Sequence, residues 1–392
     1  YDVVVNMSKT AAYRAPGTPA SMYPSEAVIN ELADELGMDP MDLRLKNASK
    51  QGSQRVNGGR FGAPIGNIEV MEAMKAHPHY RSELSGEYRG RGVSMGFWGN
   101  AGGETSSSAS INADGTVSLV LGSVDIGGTR ASLAMQLAES LGLTMDEVHP
   151  KIAGTDGVGF TGNTGGSRTT FAGGWAVHDL AEQIKAKLVE RAAKIWDCQP
   201  DDVTYGDGVL SGPEGKSMTF KQLAAQLPRT GGTIDVGATV NYSTQGAAFG
   251  GHICDVEVDP DTGKVTILRY TAVQDVGTAI HPSYVEGQIQ GAVAQGIGMA
   301  LTEEYFMKDS AMVNASFLDY RMPTALDVPM IDVELIEVPN PGHPYGVRGV
   351  GEVPIVPPLA AVQTAVNNAL GTKLVKLPLS PRVVLEEITK DE

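Results

Sequence analysis

The 392-residue sequence predicts an α+β fold of layered α/β subdomains with mostly antiparallel or mixed sheets. Three observations carry this. Several segments repeat apolar residues every fourth position and stop at glycine, the mark of amphipathic helices. Two stretches read as strand pairs joined by short glycine-containing turns. Helices and strands alternate without the period of a parallel βαβ array, and 42% apolar residues over this length supply core for two domains or one large one.

Residues 25–36 are predicted as a helix: Ser25 caps it, Val28, Leu32 and Leu36 form its buried face, and Gly37 ends it. Asp39 and Pro40 open a short helix with Leu43 inward. Residues 51–90, polar, rich in Gly and Arg and aperiodic, read as a surface connection. From Ser106 the pattern changes to two strands around Ala113, Asp114 and Gly115, as at the start of a second domain. Asp125 to Thr129 is a glycine turn into a helix that aligns Leu133, Leu137 and Leu141 before Gly142. A long helix from Trp175 to about Trp196 buries Val177, Leu180, Ile184, Leu188, Ala192 and Ile195. Strands at 253–258 and 265–273 turn around Gly263, a glycine-rich helix spans Tyr284 to Leu301, and a helix from Ala360 to Leu370 closes the chain.

Composition removes several function classes. With 30 Lys+Arg against 46 Asp+Glu the formal charge is -16, which repels phosphate backbones and excludes nucleic acid as a partner. Cys198 and Cys254 are the two cysteines, far apart, so a disulfide scaffold, a thiolate zinc site and an all-cysteine iron–sulfur cluster held by this chain alone are excluded. No apolar run reaches the roughly 20 residues of a membrane span. Tyr1 to Asn6 is no signal peptide, and the absence of Met at position 1 points to a natural start that is processed or absent. Gly215-Lys216-Ser217 ends like a phosphate loop, but Leu210 stands where its first glycine belongs. The seven histidines form no H-E-x-x-H motif, His77 and His79 are expected on the surface, and no G-x-S-x-G occurs.

Four places can carry chemistry. The turn Gly127 to Arg130 presents backbone N–H groups at a helix start, an anion site or simply a tight turn. Eight glycines lie between 154 and 174, and within Thr161 to Thr170 hydroxyls, an amide and the Arg168 guanidinium interleave with them. That composition reads as a cradle for a polar, anionic cofactor, and Phe171 and Trp175 alongside argue against a flexible linker. Gly287 and Gly291 thin one helix face, with Gln288, Gln290, Gln295 and Gln274 nearby, which reads equally as ligand approach or close helix packing. Glu352 stands between glycines and an apolar, proline-rigid run, a setting in which burial makes a carboxylate a better general base.

These segments together are familiar. Ala12 to Gly17, then Glu26 and Asn30 to Asn47, Gly165-Gly-Ser-Arg168, Gln274-Asp-Val-Gly277, Glu286 to Gly291 and Gly349-Val-Gly-Glu352 resemble, in order, the xanthine dehydrogenase/aldehyde oxidoreductase family. The match is to the C-terminal half of its molybdenum-binding subunit.

The resemblance implies the layered fold of molybdenum hydroxylase large subunits, with residues 1–85 ending a first cofactor-binding domain and 86–392 forming a second. It implies a hydroxylase that inserts water-derived oxygen at an electron-poor carbon of an N-heteroaromatic (nicotinate-like) substrate or an aldehyde, with Glu352 as the base. Arg14, Gly127, Gly128, Gly165, Gly166, Ser167, Arg168, Cys254 and Gln288 fall at positions that hold the molybdenum–molybdopterin cofactor, taken in its cytosine dinucleotide form, with no side chain bound directly to metal. Phe97, Trp98 and Pro16 fall at the substrate pocket. The implied partners are the N-terminal half of the subunit, an iron–sulfur subunit carrying [2Fe-2S] and an FAD subunit, in a cytoplasmic complex. An aldehyde oxidase, a relative acting on aromatic acyl-CoA and a scaffold that has lost the cofactor are the alternatives. Three departures matter: Gly128-Thr129 replaces the Gln-Gly of many relatives, Ala15 stands where the carbon monoxide dehydrogenase branch has its copper-binding Cys, and Pro16 replaces the stacking Phe of xanthine-type enzymes.

Overall fold

The structure, a computed structural model, describes residue 4 and residues 9–55, 58–242 and 246–390. The Tyr1 to Asn6 segment, read above for targeting signals, lies outside them except for Val4. Among the described residues no helix is long and apolar enough to cross a membrane.

Helix α1 (Thr18–Glu35) starts after Gly17, which is left-handed, with Pro19 in its first turn. Ser25 is therefore interior rather than a cap, and its hydroxyl donates to Ser21 O. The buried face is also the opposite one: Glu26, Ala27, Asn30 and Ala33 point inward, while Val28, Leu32 and Leu36 are exposed. Helix α2 (Pro40–Lys46) is capped as predicted, the Asp39 carboxylate accepting from Met41 and Asp42 N–H, with Leu43 buried. The 51–90 stretch is more than a surface connection. It contains α3 (Asn67–Ala76) and α4 (Pro78–Arg81), and buries Phe61, Ile65, Val70, Met71 and Met74. The period of α3 is present in the sequence, Asn67, Val70, Met71 and Met74 falling at i, i+3, i+4 and i+7. His79 is fully buried, its Nδ1 2.8 Å from Thr271 Oγ1 and its Nε2 3.1 Å from Asp255, not on the surface.

After β1 (Arg89–Asn100) the strands β2 (Gly103–Ile111) and β3 (Val117–Leu121) form the predicted hairpin. Helix α5 (Thr129–Leu141), strand β4 (Val148–Ile152) and helix α6 (Thr169–Trp196) follow. A small sheet of β5 (Thr204–Gly206), β6 (Val209–Ser211) and β7 (Ser217–Thr219) precedes α7 (Phe220–Ala224), α8 (Leu227–Thr230) and β8 (Ile234–Tyr242). Then come β9 (Gly246–Val258), β10 (Val265–Asp275), α9 (Pro282–Leu301), the hairpin β11 (Met307–Lys308) with β12 (Ala311–Met312), β13 (Ile331–Ile336), α10 (Pro358–Leu370) and α11 (Pro381–Ile388). The last helix lies beyond the predicted chain-closing one.

Among the described residues two four-stranded mixed sheets organise the fold. The first has order β4-β3-β2-β8, with only β3 and β4 parallel. Leu133, Leu137 and Leu141 of α5 and Val177, Leu180, Ile184 and Leu188 of α6 pack on it, the stripes read from sequence. The second has order β1-β9-β10-β13, with β10 and β13 parallel. Helices α9 and α10 cover one face through Ile289, Val293, Ile297, Val362 and Val366, and Met71 and Met74 of α3 cover the other.

Strand β1 is the edge of the second sheet, and its outward backbone groups explain the roll of α1. Asn30 Nδ2 donates to Val93 O at 2.9 Å, Glu26 Oε2 accepts from Met95 N at 2.6 Å, and Asn368 Nδ2 donates to Arg91 O at 2.8 Å. The buried Glu26 is paired with Arg44 at 2.8 Å. Satisfying buried backbone groups outweighs burying three apolar side chains that solvent tolerates.

Two buried histidines set a pH limit on this packing. Burial lowers His252, which contacts Tyr270 OH, to about 3, and His343, at Phe171 O, to about 4. An unfolded histidine titrates near 6.5, so below that pH the unfolded chain takes up protons that the folded chain refuses. Stability is expected to be full above about pH 6.5 and to fall as pH drops toward 4, at up to about 1.4 kcal/mol per pH unit for each histidine. Thermal midpoints at pH 7, 6 and 5 in one buffer system check this; a flat profile would refute it.

Candidate active site

A cleft of about 990 Å³ opens where the end of β1, the loop 161–168, the start of α5, the first turns of α9 and the loop 347–352 converge. Glu352 lies on its wall, 9% exposed. Its Oε1 accepts from Ala15 N at 3.1 Å and its Oε2 from Ser167 Oγ at 3.1 Å. Both donors sit on left-handed backbone, Ala15 at φ 53° and Ser167 at φ 56°. Such a conformation costs a non-glycine residue roughly 1–2 kcal/mol, and it clusters where surrounding structure aims a group at a site. The two loops touch backbone to backbone: a Cβ at Gly349 would stand 2.2 Å from Ser167 O.

Arg14 ties the Glu352 loop to α9. Its Nη1 donates to Gln295 Oε1 at 3.0 Å, its Nη2 to Gln288 O at 2.9 Å, and its Nε to Gly351 O next to Glu352. Gly127, at φ 65°, lies under the Gln288 amide, where a Cβ would come within 1.9 Å of Nε2. Arg168 is turned inward: its guanidinium donates to Gly102 O, Glu104 O and Thr105 Oγ1, tying the 161–168 loop to β2. At the far end the rings of His281 and Tyr284 stack at 3.8 Å, and both line the cleft.

A family model described as molybdopterin cofactor-binding domain matches residues 67–329, and a second of the same description matches residues 1–48. The xanthine dehydrogenase molybdenum-binding subunit of Escherichia coli O157:H7 is 30% identical over 97% of this chain and 54% of its own length. The chain belongs to the xanthine dehydrogenase/aldehyde oxidoreductase family of molybdenum-binding subunits. The nicotine 6-hydroxylase large subunit of Paenarthrobacter nicotinovorans is 29% identical over 97% of this chain and 51% of that one. The crystal structure of quinoline 2-oxidoreductase from Pseudomonas putida 86 superposes with a TM-score of 0.86 at 26% identity, covering 97% of this chain and 53% of that chain. The chain thus spans about half the length of the relatives it matches.

The cleft of this family member suits a large, flat, polar group. Glycine backbone at 127, 162, 165 and 166 leaves room along one wall, and amides of Gln288 and Gln295 and the Ser167 hydroxyl edge it. Trp98 lines it as well, and its indole N–H is buried without a hydrogen-bond partner among the described residues. Among the described residues no cluster of three or more His, Cys, Asp or Glu could hold a metal ion.

Of the residues singled out from sequence, Arg14, Pro16, Trp98, Gly127, Gly165, Gly166, Ser167, Arg168, Gln288 and Glu352 all line this cleft. Three do not. Phe97 points to the other side of β1, as strand alternation requires beside Trp98, and packs on Phe61 and Phe249. Cys254 is fully buried in the second sheet's core. Gly128 sits against the Tyr284 ring. In the 127–130 turn one backbone N–H, that of Arg130, donates to Asp125 Oδ1. Gln290 turns away to Ile331 O, and Gln274 is buried in β10. Sequence reasoning missed the Ala15 N–H as a partner of Glu352 and the His281–Tyr284 stack, since left-handed backbone at alanine and a stacked ring pair leave no compositional sign.

Proposed function

We propose that this chain is the cofactor-binding part of a molybdenum hydroxylase that inserts water-derived oxygen at an electron-poor carbon of an N-heteroaromatic, nicotinate-like substrate or an aldehyde. The observation that carries the reading is Glu352, with each carboxylate oxygen fixed by one donor on the wall of a glycine-lined polar cleft. Arg14, Gln288, Ser167 and the glycines at 127, 165 and 166 would hold the pterin, in its cytosine dinucleotide form. When bound, the molybdenum–pterin group supplies a two-electron redox centre. Ala15 N–H and Ser167 O–H each occupy one acceptor site on Glu352, leaving the remaining lone pairs of Oε1 and Oε2 to take a proton. Trp98 and Pro16 form an apolar wall against which a planar substrate can lie. Ala15 offers no thiol, so copper-dependent oxidation of carbon monoxide is not proposed. Relatives named for nicotine and quinoline support the heteroaromatic class, and relatives named aldehyde oxidoreductase support the aldehyde class.

The partners of this reading are the other half of the molybdenum subunit, an iron–sulfur subunit and an FAD subunit, in a cytoplasmic complex. Within the chain, residues 1–85 complete one cofactor-binding domain and 86–392 form the second. Apolar surface is available for partner chains: Phe317, Leu318, Leu326 and Met330 are 87–97% exposed, and Val28, Leu32 and Leu36 form an open stripe on α1. Elemental analysis of the complex purified from its native source tests the reading. Molybdenum near one atom per chain, with hydroxylation by the complex and none by this chain alone, is expected. An active complex lacking molybdenum, or turnover by the isolated chain, would overturn it.

A further inference from the structure

Four residues before Glu352, Arg348 is buried to 2% exposure and points away from it into the second sheet. Its Nε lies 3.1 Å from Asp275 Oδ2 and also donates to Val338 O. Nη1 donates to Ala247 O at 2.9 Å and Nη2 to Pro64 O at 2.7 Å. Asp275, with no exposed surface, accepts in turn from Gly66 N, Gly277 N and Val338 N. The loop's backbone is stitched in at the same point, Arg348 N donating to Val276 O. One ion pair therefore gathers the approach to α3, β9, the ends of β10 and β13, and the base of the Glu352 loop. On the other side of Glu352 the turn Val353–Ile355 packs under α9 and β9, so the carboxylate is slung between two fixed anchors.

We infer that Arg348 and Asp275 are positioning residues for Glu352: their buried fork-and-carboxylate junction fixes the loop that aims its carboxylate at the cleft. This rests on Glu352 acting as the base. Burial of such a pair is costly compared with apolar packing of the same volume, so stability alone gives little reason for it. A guanidinium that grips three carbonyls and a carboxylate at once does supply fixed geometry.

The test is a mutant cycle in the assembled holoenzyme with Asp275→Asn, Arg348→Lys, Glu352→Gln and the two doubles with Glu352→Gln. Asparagine keeps the acceptor but not the charge, and lysine keeps the charge but not the fork; if one variant fails to fold, the other carries the cycle. Each single is expected to lower kcat about tenfold or more with KM within about twofold, the sign of lost aim rather than lost binding. Each double is expected to be no slower than Glu352→Gln alone, because a group without its base has nothing left to position. Amide exchange of residues 345–352, read regardless of molybdenum loading, is expected to speed up in both singles. Unchanged kcat, unchanged exchange, or losses that multiply in the doubles would each overturn the positioning role. Full turnover by Glu352→Gln would overturn the base assignment along with it, whereas an inactive Glu352→Gln beside fully active Asp275→Asn and Arg348→Lys would overturn positioning alone.

Discussion

Glu352→Gln is expected to lower turnover by roughly two or more orders of magnitude while molybdenum content stays at the wild-type level, the loss typical of removing a general base. Glutamine matches glutamate in shape, and its amide oxygen can still accept from Ala15 N or Ser167 Oγ, the two donors that hold the carboxylate. What it lacks is the capacity to accept a proton. The left-handed backbone at Ala15 and Ser167 should therefore persist, and the cleft should still accept its cofactor. Steady-state rates normalised to molybdenum check this; an unchanged rate in a fully loaded variant would remove Glu352 from the mechanism.

The second large effect concerns stability. Glu26→Ala strands the Arg44 guanidinium, 5% exposed, with only Pro40 O among its hydrogen-bond partners, and leaves Met95 N–H facing a void. Breaking one side of a buried ion pair typically costs about 3–5 kcal/mol. A clear fall in thermal midpoint is expected for Glu26→Ala and a smaller one for Glu26→Gln, which keeps an acceptor for Met95. Equal midpoints for Glu26→Ala and wild type would show that the pair and its backbone contact contribute nothing.

Elements with a long apolar period were legible from sequence because one sheet face fixes which residues turn inward. Helix α6 and the Leu133–Leu137–Leu141 stripe are of this kind. Helix α1 was not, because its neighbour is an open strand edge, and hydrogen bonding rather than apolar area decided which side faces in. At the site, residues picked out by glycine spacing or by Glu352 in its apolar frame do converge on one cleft. Arginine roles were harder to read: Arg168 reads as a cation for a ligand but grips carbonyls of its own chain. Strand parity separated Trp98 from Phe97, but only once the register of β1 was known.

The side chains that line the rim of β1 have a consequence outside the native fold. A twelve-residue strand with an open edge is a template onto which a strand from another molecule can add. Glu26, Asn30 and Asn368 occupy that edge at 91, 93 and 95, in the places an incoming strand would need. Helix α1 thus works as a guard against self-association as well as a buttress. A molecule in which these side chains are not docked on β1 would offer the backbone groups of 91, 93 and 95 to a strand from a neighbour.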